Sequence, residues 1–250
     1  MTNHLASILA IDTSSSHCSV ALQTPAGVLS EHVATEQSHS EHILPMIRRL
    51  LDGVGVALAD VDGFAVGVGP GGFTGVRLGV AVVQGLAYAT GKTVVALSSL
   101  LALARAAWDA RAEGVSAMTV AVANDARMSQ VYWAVYRFEV EAADFVYREI
   151  SAPSLCDVVD LPNQLSLLGE ELTLAGNAFS VFDELTNWLS STGVTVAEID
   201  HSAPNALYLL PLAQMAFAQG QAIAPHLVAP LYVRDKIAQT IAEREAAKHA

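Results

Sequence analysis

The chain has 250 residues, 52% of them hydrophobic, and a formal net charge of -12 at pH 7, so it can bury a sizeable core. Its charged fraction of 15% is below the roughly 25% of average soluble domains, so we expect part of the surface to be apolar and covered by a partner. No Lys/Arg cluster exceeds Arg48-Arg49, which argues against independent binding of RNA or DNA, because that binding depends on cations replacing phosphate counterions.

The first predicted strand, residues 8–12, ends in a turn rich in hydroxyl groups, residues 13–16. Two further strands, residues 18–23 and 28–34, follow as a meander. An aspartate at a strand end before small hydroxyl residues resembles the first phosphate loop of actin-like and sugar-kinase-like ATPases. On that interpretation Asp12, Thr13 and Ser14 form a vestigial nucleotide loop. The alternative is that Asp12 is a turn residue whose carboxylate accepts from nearby backbone N–H groups.

A helix is predicted with Ser40 as its N-cap, running to about Leu51 or Asp52, where Gly53 stops it. Its apolar stripe indicates an amphipathic helix that packs on a core. His39 and His42, three residues apart, could be half of a metal site. The alternative, which we favour, is that they are polar residues at the start of a capped amphipathic helix.

The most informative stretch is residues 67–88, a Pro/Gly-broken loop followed by an apolar helix that Thr74 is placed to cap. Gly75, Gly79 and Gly85 lie inside this helix, and each costs roughly 1 kcal/mol relative to alanine. Something must therefore approach the helix closely. The alternatives are the chain's own sheet and a helix of a partner chain.

We base an interface prediction on the second alternative, with the helix after His39 as companion in a small bundle. The predicted interface residues are Gly75, Val76, Arg77, Gly79, Val80, Val83, Ala87, His42 and Met46. The uncharged run from Leu78 to Ala89 is only 12 residues, too short for the roughly 20 that span a membrane. The loop itself matches neither a Walker A nor a GxGxxG pattern.

The remaining pattern predicts strands at residues 62–68 and 93–97 and a helix capped by Ser98-Ser99 that runs to about Trp108. Strands at 118–123, 131–139 and 145–150 follow, then weaker patterning to residue 200 and a late helix at 206–218. This order predicts a duplicated β-β-β-α core whose second copy is degraded. We divide the chain into lobes at residues 1–103 and 104–232, with the late helix packing on the first lobe and 233–250 as a flexible charged tail.

Four segments together resemble the TsaB (YeaZ) family: ILAIDTSSSHCSVAL, SHSEHILPMI, GVGPGGFTGVRLGVAVVQGLA and NDARMSQVYWAVY, with PLYVRD near the end. The resemblance implies an α/β fold of two lobes of the ASKHA type, actin-like and RNase H-like, with a degenerate second lobe. It implies a role in making threonylcarbamoyladenosine at position 37 of tRNAs that read codons beginning with A. The expected partners are the paralogue TsaD and the ATPase TsaE, with a homodimer when they are absent.

The paralogue TsaD is similar through the same loop and helix, but that family places a metal-binding His-x-x-x-His pair after the next strand. This chain reads Ala96-Leu97-Ser98-Ser99-Leu100-Leu101-Ala102 there, which offers no imidazole or carboxylate ligand. We therefore expect no catalytic residues and no metal, and ATP or ADP only at an interface of the complex. The alternative is a metal-dependent glycoprotease-like peptidase or a weak ATPase.

Cys18 and Cys156 make no metal-like spacing, and the segment MTNHLASILAID has neither a basic region nor a long apolar run. We expect a cytoplasmic location with reduced thiols.

Overall fold

The computed structural model of the chain describes residues 7–35, 38–142, 144–168, 171–192 and 203–234. Its first sheet has five strands in the order β3-β2-β1-β4-β5. These are β1 (Ile8–Asp12), β2 (His17–Thr24), β3 (Gly27–Ala34), β4 (Gly63–Gly67) and β5 (Val94–Leu97). The first three strands form an antiparallel meander, and β4 and β5 continue it parallel to β1. All five strands occur where the sequence predicted them.

The second sheet repeats this arrangement with one strand fewer, in the order β8-β7-β6-β9. Its strands are β6 (Ala117–Asp125), β7 (Gln130–Glu141), β8 (Asp144–Asp157) and β9 (Leu172–Ala175). Here too a meander of three antiparallel strands is continued by a parallel one. The duplication is the two-lobed ASKHA arrangement with a degenerate second lobe, so the predicted fold class is confirmed.

Seven helices pack on the faces of these sheets within the described ranges. They are α1 (Ile43–Val54), α2 (Phe73–Thr90), α3 (Ser99–Asp109), α4 (Leu161–Ser166), α5 (Ala178–Val181), α6 (Asp183–Thr192) and α7 (Leu209–Ala218). Side chains alternate between the two faces of β1. Leu9 and Ile11 belong to the core under α1 and α2, while Ile8 and Ala10 belong to the core shared with α3 and α7. Since β1 and β4 are covered on both faces, every one of their residues is buried.

The core that contains α3 and α7 also includes Val120, Val122 and Tyr136 of the second sheet, so it joins the inner faces of both lobes. The opposite face of the second sheet is covered by α4, α5 and α6. The late helix α7 packs on the first sheet, and the 3-10 turn Ala206–Tyr208 before it contacts α3. The predicted lobe boundary at residue 103 falls inside α3, and the division of the chain into two lobes there stays a prediction.

Several element ends differ from those predicted. Helix α1 ends at Gly55, in the left-handed region at φ 67°, rather than at Gly53, whose φ is not positive. Helix α2 begins after Gly72 and not after Thr74, since the Gly72 N–H is bonded to the Ser14 carbonyl and fixes the start of the helix there. Strand β8 extends well beyond the predicted residues 145–150 because it pairs with β7 along its whole length, across a bulge.

The predicted flexible tail lies outside the described residues except for Val233 and Arg234. Among the helices that the structure describes, none combines the length and the apolar character that crossing a lipid bilayer requires.

Candidate functional site

Asp12 lies at the carboxyl end of β1 and is completely buried. Its Oδ1 accepts from the backbone N–H of Ser14 at 2.8 Å and from the Ser14 hydroxyl at 2.7 Å, while Oδ2 lies beside Gly67 and the Ser99 hydroxyl. Burial raises the pKa of Asp12, and the hydrogen bonds from Ser14 offset only part of that effect. The two bonds from Ser14 fit the turn interpretation of Asp12, and the vestigial nucleotide loop stays a prediction.

Thr13 is also buried and holds the start of α2. Its hydroxyl donates to the carbonyl of Gly75 at 2.8 Å. A Cβ added at Gly75 would overlap the Thr13 carbonyl oxygen, and one added at Gly79 would lie 2.5 Å from the Thr13 hydroxyl. The turn after β1 therefore explains both glycines, because it approaches α2 at these two positions. The close neighbour belongs to the chain's own first sheet and is not a partner helix.

This placement corrects most of the predicted interface. Seven of its nine residues are buried inside the described chain: Gly75, Val76, Gly79, Val80, Val83, Ala87 and Met46. Assigning them to a partner contact was wrong, because glycine spacing identifies the face that something approaches without identifying what approaches it. Arg77 is exposed and His42 is half-buried, so for these two the interface stays a prediction.

The opposite face of α2 is exposed and nearly uncharged. Exposed positions along it include Phe73, Thr74, Arg77, Ala81, Gly85, Tyr88 and Ala89. A Cβ placed on Gly85 would meet nothing within 4 Å, and its φ is not positive, so no contact or backbone requirement of the described chain explains a glycine there. It follows Gly79 by six residues and so lies on a different side of the helix. That offset was readable in the sequence and was missed.

His39 is the first of the two histidines that precede α1. His39 is half-buried against α2, its Nδ1 lies 3.2 Å from the Thr35 hydroxyl, and burial lowers its pKa. A short 3-10 turn, His39–Glu41, holds it, and Ser38 rather than Ser40 supplies the capping hydroxyl. Within the described ranges, no three His, Cys, Asp or Glu side chains are grouped so that they could hold a metal ion.

A cavity of about 520 Å³ lies between the two lobes. It is lined by the turns at residues 14–17, 70–73 and 124–127 and by the extended segment 231–234. Of the three residues of the predicted nucleotide loop, only Ser14 reaches this cavity, since Asp12 and Thr13 are engaged beneath it. The cations on its wall are Arg127 and Arg234, which belong to the turn after β6 and to the carboxyl-terminal segment.

Comparison with known proteins gives consistent similarities. A family model described as TsaD, tRNA N6-adenosine threonylcarbamoyltransferase, matches residues 19–242. The tRNA threonylcarbamoyladenosine biosynthesis protein TsaB of Haemophilus influenzae is 35% identical over 92% of this chain and 94% of its own length. Its Escherichia coli counterpart is 32% identical over 92% and 96%. The structure of YeaZ from Pseudomonas aeruginosa superposes with a TM-score of 0.76 at 33% identity, covering 91% of this chain and all of that one.

Proposed function

Since this chain belongs to the TsaB (YeaZ) family and so takes part in threonylcarbamoyladenosine biosynthesis on tRNA, we propose that it does so as a non-catalytic subunit. In this role it binds and activates a TsaD-type threonylcarbamoyltransferase, acting together with the ATPase TsaE. The modified position is adenosine 37 of tRNAs that read codons beginning with A.

The contacts of the Asp12 turn support the non-catalytic role. Catalytic carboxylates must reach a substrate or a metal-bound water, whereas Asp12 is buried and its Oδ1 is engaged by Ser14. The stretch that replaces the histidine pair of TsaD proteins forms the end of β5 and the start of α3. Its side chains Leu97, Leu100 and Leu101 are buried in the core between the lobes. A metal-dependent peptidase or an ATPase would have to place its reacting groups elsewhere.

The observation that carries the partner role is the exposed face of α2. Small residues run along its centre, Ala81 and Gly85, and the half-buried Leu78 and Val82 border them. Such a surface lets a second helix approach closely, and an apolar helical face left in water would promote aggregation. We infer that a helix of the TsaD-type partner packs here.

The neighbouring helix α1 completes this surface. Helices α1 and α2 share one core on the same side of the first sheet, and Leu44 and Pro45 of α1 are exposed beside the half-buried His42. A second copy of the chain would use the same two helices when the TsaD-type partner is absent, which accounts for the expected homodimer. Any ATP or ADP would bind at the interface of the assembled complex.

Reconstitution with purified components tests the subunit role. Unmodified substrate tRNA, threonine, bicarbonate and ATP are combined with the threonylcarbamoyl-AMP-forming enzyme. This chain is then added alone, the TsaD-type partner and TsaE are added without it, or all three are added. We expect modified nucleoside, measured by mass spectrometry, only when all three are present. Modification by this chain without the TsaD-type partner would assign the chemistry to it and would contradict the proposal.

A further inference from the structure

The segment Val228 to Arg234, here called the carboxyl-terminal strap, runs across the mouth of the cavity between the lobes. Its first half is fixed to the first lobe. Val228 is buried in the core under α1 and α2, and its carbonyl accepts from the Gln84 amide at 2.9 Å. The Leu231 N–H donates to the carbonyl of Val68, the residue after β4, at 2.8 Å.

Tyr232 adds a side-chain anchor on the same lobe. Its hydroxyl accepts from Arg77 Nε at 2.6 Å, and its ring lies 6.1 Å from the ring of Phe73. The Arg77 guanidinium also lies over the Phe73 ring, 3.5 Å from its centroid. This charge-assisted hydrogen bond and the cation–π contact join the strap to the start of α2.

The last described residue of the strap is fixed to the other lobe. Arg234 donates to the carbonyl of Ala126 at 3.0 Å and to Gln130 Oε1 at 2.7 Å, and Gln130 in turn donates to Asp157 of β8 at 3.0 Å. The guanidinium lies 5.9 Å from the centroid of the Tyr132 ring. The two ends of the strap are therefore bonded to opposite walls of one cavity.

The turn that Arg234 holds is conformationally costly. Arg127, Met128 and Ser129 all have positive φ, between 54° and 65°, although none is glycine. Such conformations persist only where surrounding contacts over-determine them. Asp125 accepts from the Arg127 N–H inside the turn, and Arg234 satisfies the Ala126 carbonyl from outside it.

We propose that the carboxyl-terminal strap is an interlobe clamp that sets how far the cavity between the lobes opens. The lobes are joined at their base by the core around α3 and α7, so relative motion of the lobes opens the mouth that the strap crosses. Tyr232 is the anchor of the clamp on α2 and Arg234 is its anchor on the turn after β6. Loss of either anchor loosens the wall that the other anchor holds.

Hydrogen exchange of the full chain tests the clamp. For each substitution, the informative amides are those on the opposite wall of the cavity. Tyr232→Phe removes only the hydroxyl that binds Arg77, and we expect it to speed exchange of the Ala126 and Gln130 amides in the second lobe. Arg234→Ala removes the second-lobe anchor, and we expect it to speed exchange of the Gly72 amide, which is bonded to Ser14 in the first lobe. Each rate should rise about fivefold, the effect of losing one net hydrogen bond of roughly 1 kcal/mol.

Arg148→Ala is the matched control, because Arg148 is an exposed arginine of β8 far along the strand from the turn that Arg234 holds. It should change exchange at neither wall. Amides of β1 report global stability and should exchange at the parent rate in all three variants. The clamp would be refuted if each anchor variant loosened only the wall on its own side of the cavity.

Discussion

Asp12 belongs to the segments that resemble the family, and its contacts are those expected of a turn residue. Its carboxyl group is removed from water, and its Oδ1 accepts two hydrogen bonds from Ser14. The sequence could place it at a strand end before a hydroxyl-rich turn. It could not decide between a phosphate loop and a self-bonded turn, because both use the same residue types. Local patterning also gives no sign of Gly67 and Ser99, which tertiary packing brings to the carboxyl group.

Asp12→Asn should stabilise the protein at neutral pH. Because burial raises the pKa of Asp12, the folded state binds its proton more tightly than the unfolded state, and stability falls as pH rises through that window. An asparagine keeps the oxygen that Ser14 bonds and carries no charge to desolvate. We expect the Tm at pH 7 to rise by about 2–4 °C, roughly 1 kcal/mol for a chain of this size.

Thermal unfolding measured at several pH values tests this expectation. The difference between the variant and the parent should vanish at acidic pH, where the parent carboxyl group is also neutral. A Tm at pH 7 several degrees below that of the parent would mean instead that an ionised Asp12 has a stabilising partner.

At the scale of an element, α2 has two apolar faces with different neighbours. Periodicity correctly predicted a helix with glycines on one face, and it correctly predicted that something approaches them. The neighbour is the Thr13 carbonyl, 62 residues before Gly75 in the chain, which local patterning has no means to identify. The exposed face was overlooked because its small residues, Ala81 and Gly85, are inconspicuous beside the paired glycines.

Alanine substitutions at two glycines of this one helix should have opposite effects. Gly85→Ala should raise the free energy of unfolding by about 1 kcal/mol, because alanine favours the helix and meets nothing within 4 Å. Gly75→Ala should lower it by about 1–3 kcal/mol, because the new methyl group overlaps the Thr13 carbonyl and forces α2 from the sheet.

Denaturant unfolding of both variants, compared with the parent chain, gives the two free energies. Equal effects of the two substitutions would contradict the two-faced description of α2. Unfolding at several protein concentrations separates the intrinsic helix effect at Gly85 from any contribution of dimerisation.

At the scale of the whole molecule, the duplicated meander was predictable because each copy repeats the same order of strand signals. The first copy was predicted more accurately, since β1 is a short apolar run that ends in a hydroxyl-rich turn and β4 is one that ends before a loop of Gly and Pro residues. The second copy was harder because β8 pairs along 14 residues that include a bulge and many polar positions. The clamp contacts of the carboxyl-terminal strap were not predicted, since they join residues as far apart as Arg77 and Tyr232.

The partner role proposed for the molecule depends on binding of the TsaD-type protein to the exposed face of α2. Gly85→Arg places a bulky charge at the centre of that face. It should block helix packing without disturbing the fold, because Gly85 is exposed and its surroundings are open. Asn187→Arg is the matched control, an arginine introduced at an exposed position of α6 on the second lobe. Circular dichroism should show the same folded signal for both variants.

The dissociation constant of each variant for the purified TsaD-type partner, determined by isothermal titration calorimetry, decides whether this face is the binding surface. We expect Gly85→Arg to weaken binding by at least about 100-fold, as for a hot-spot position whose change costs roughly 3 kcal/mol, and Asn187→Arg to bind as the parent chain does. Parent-like affinity of a correctly folded Gly85→Arg variant would show that the partner binds elsewhere and would contradict the proposed role of α2.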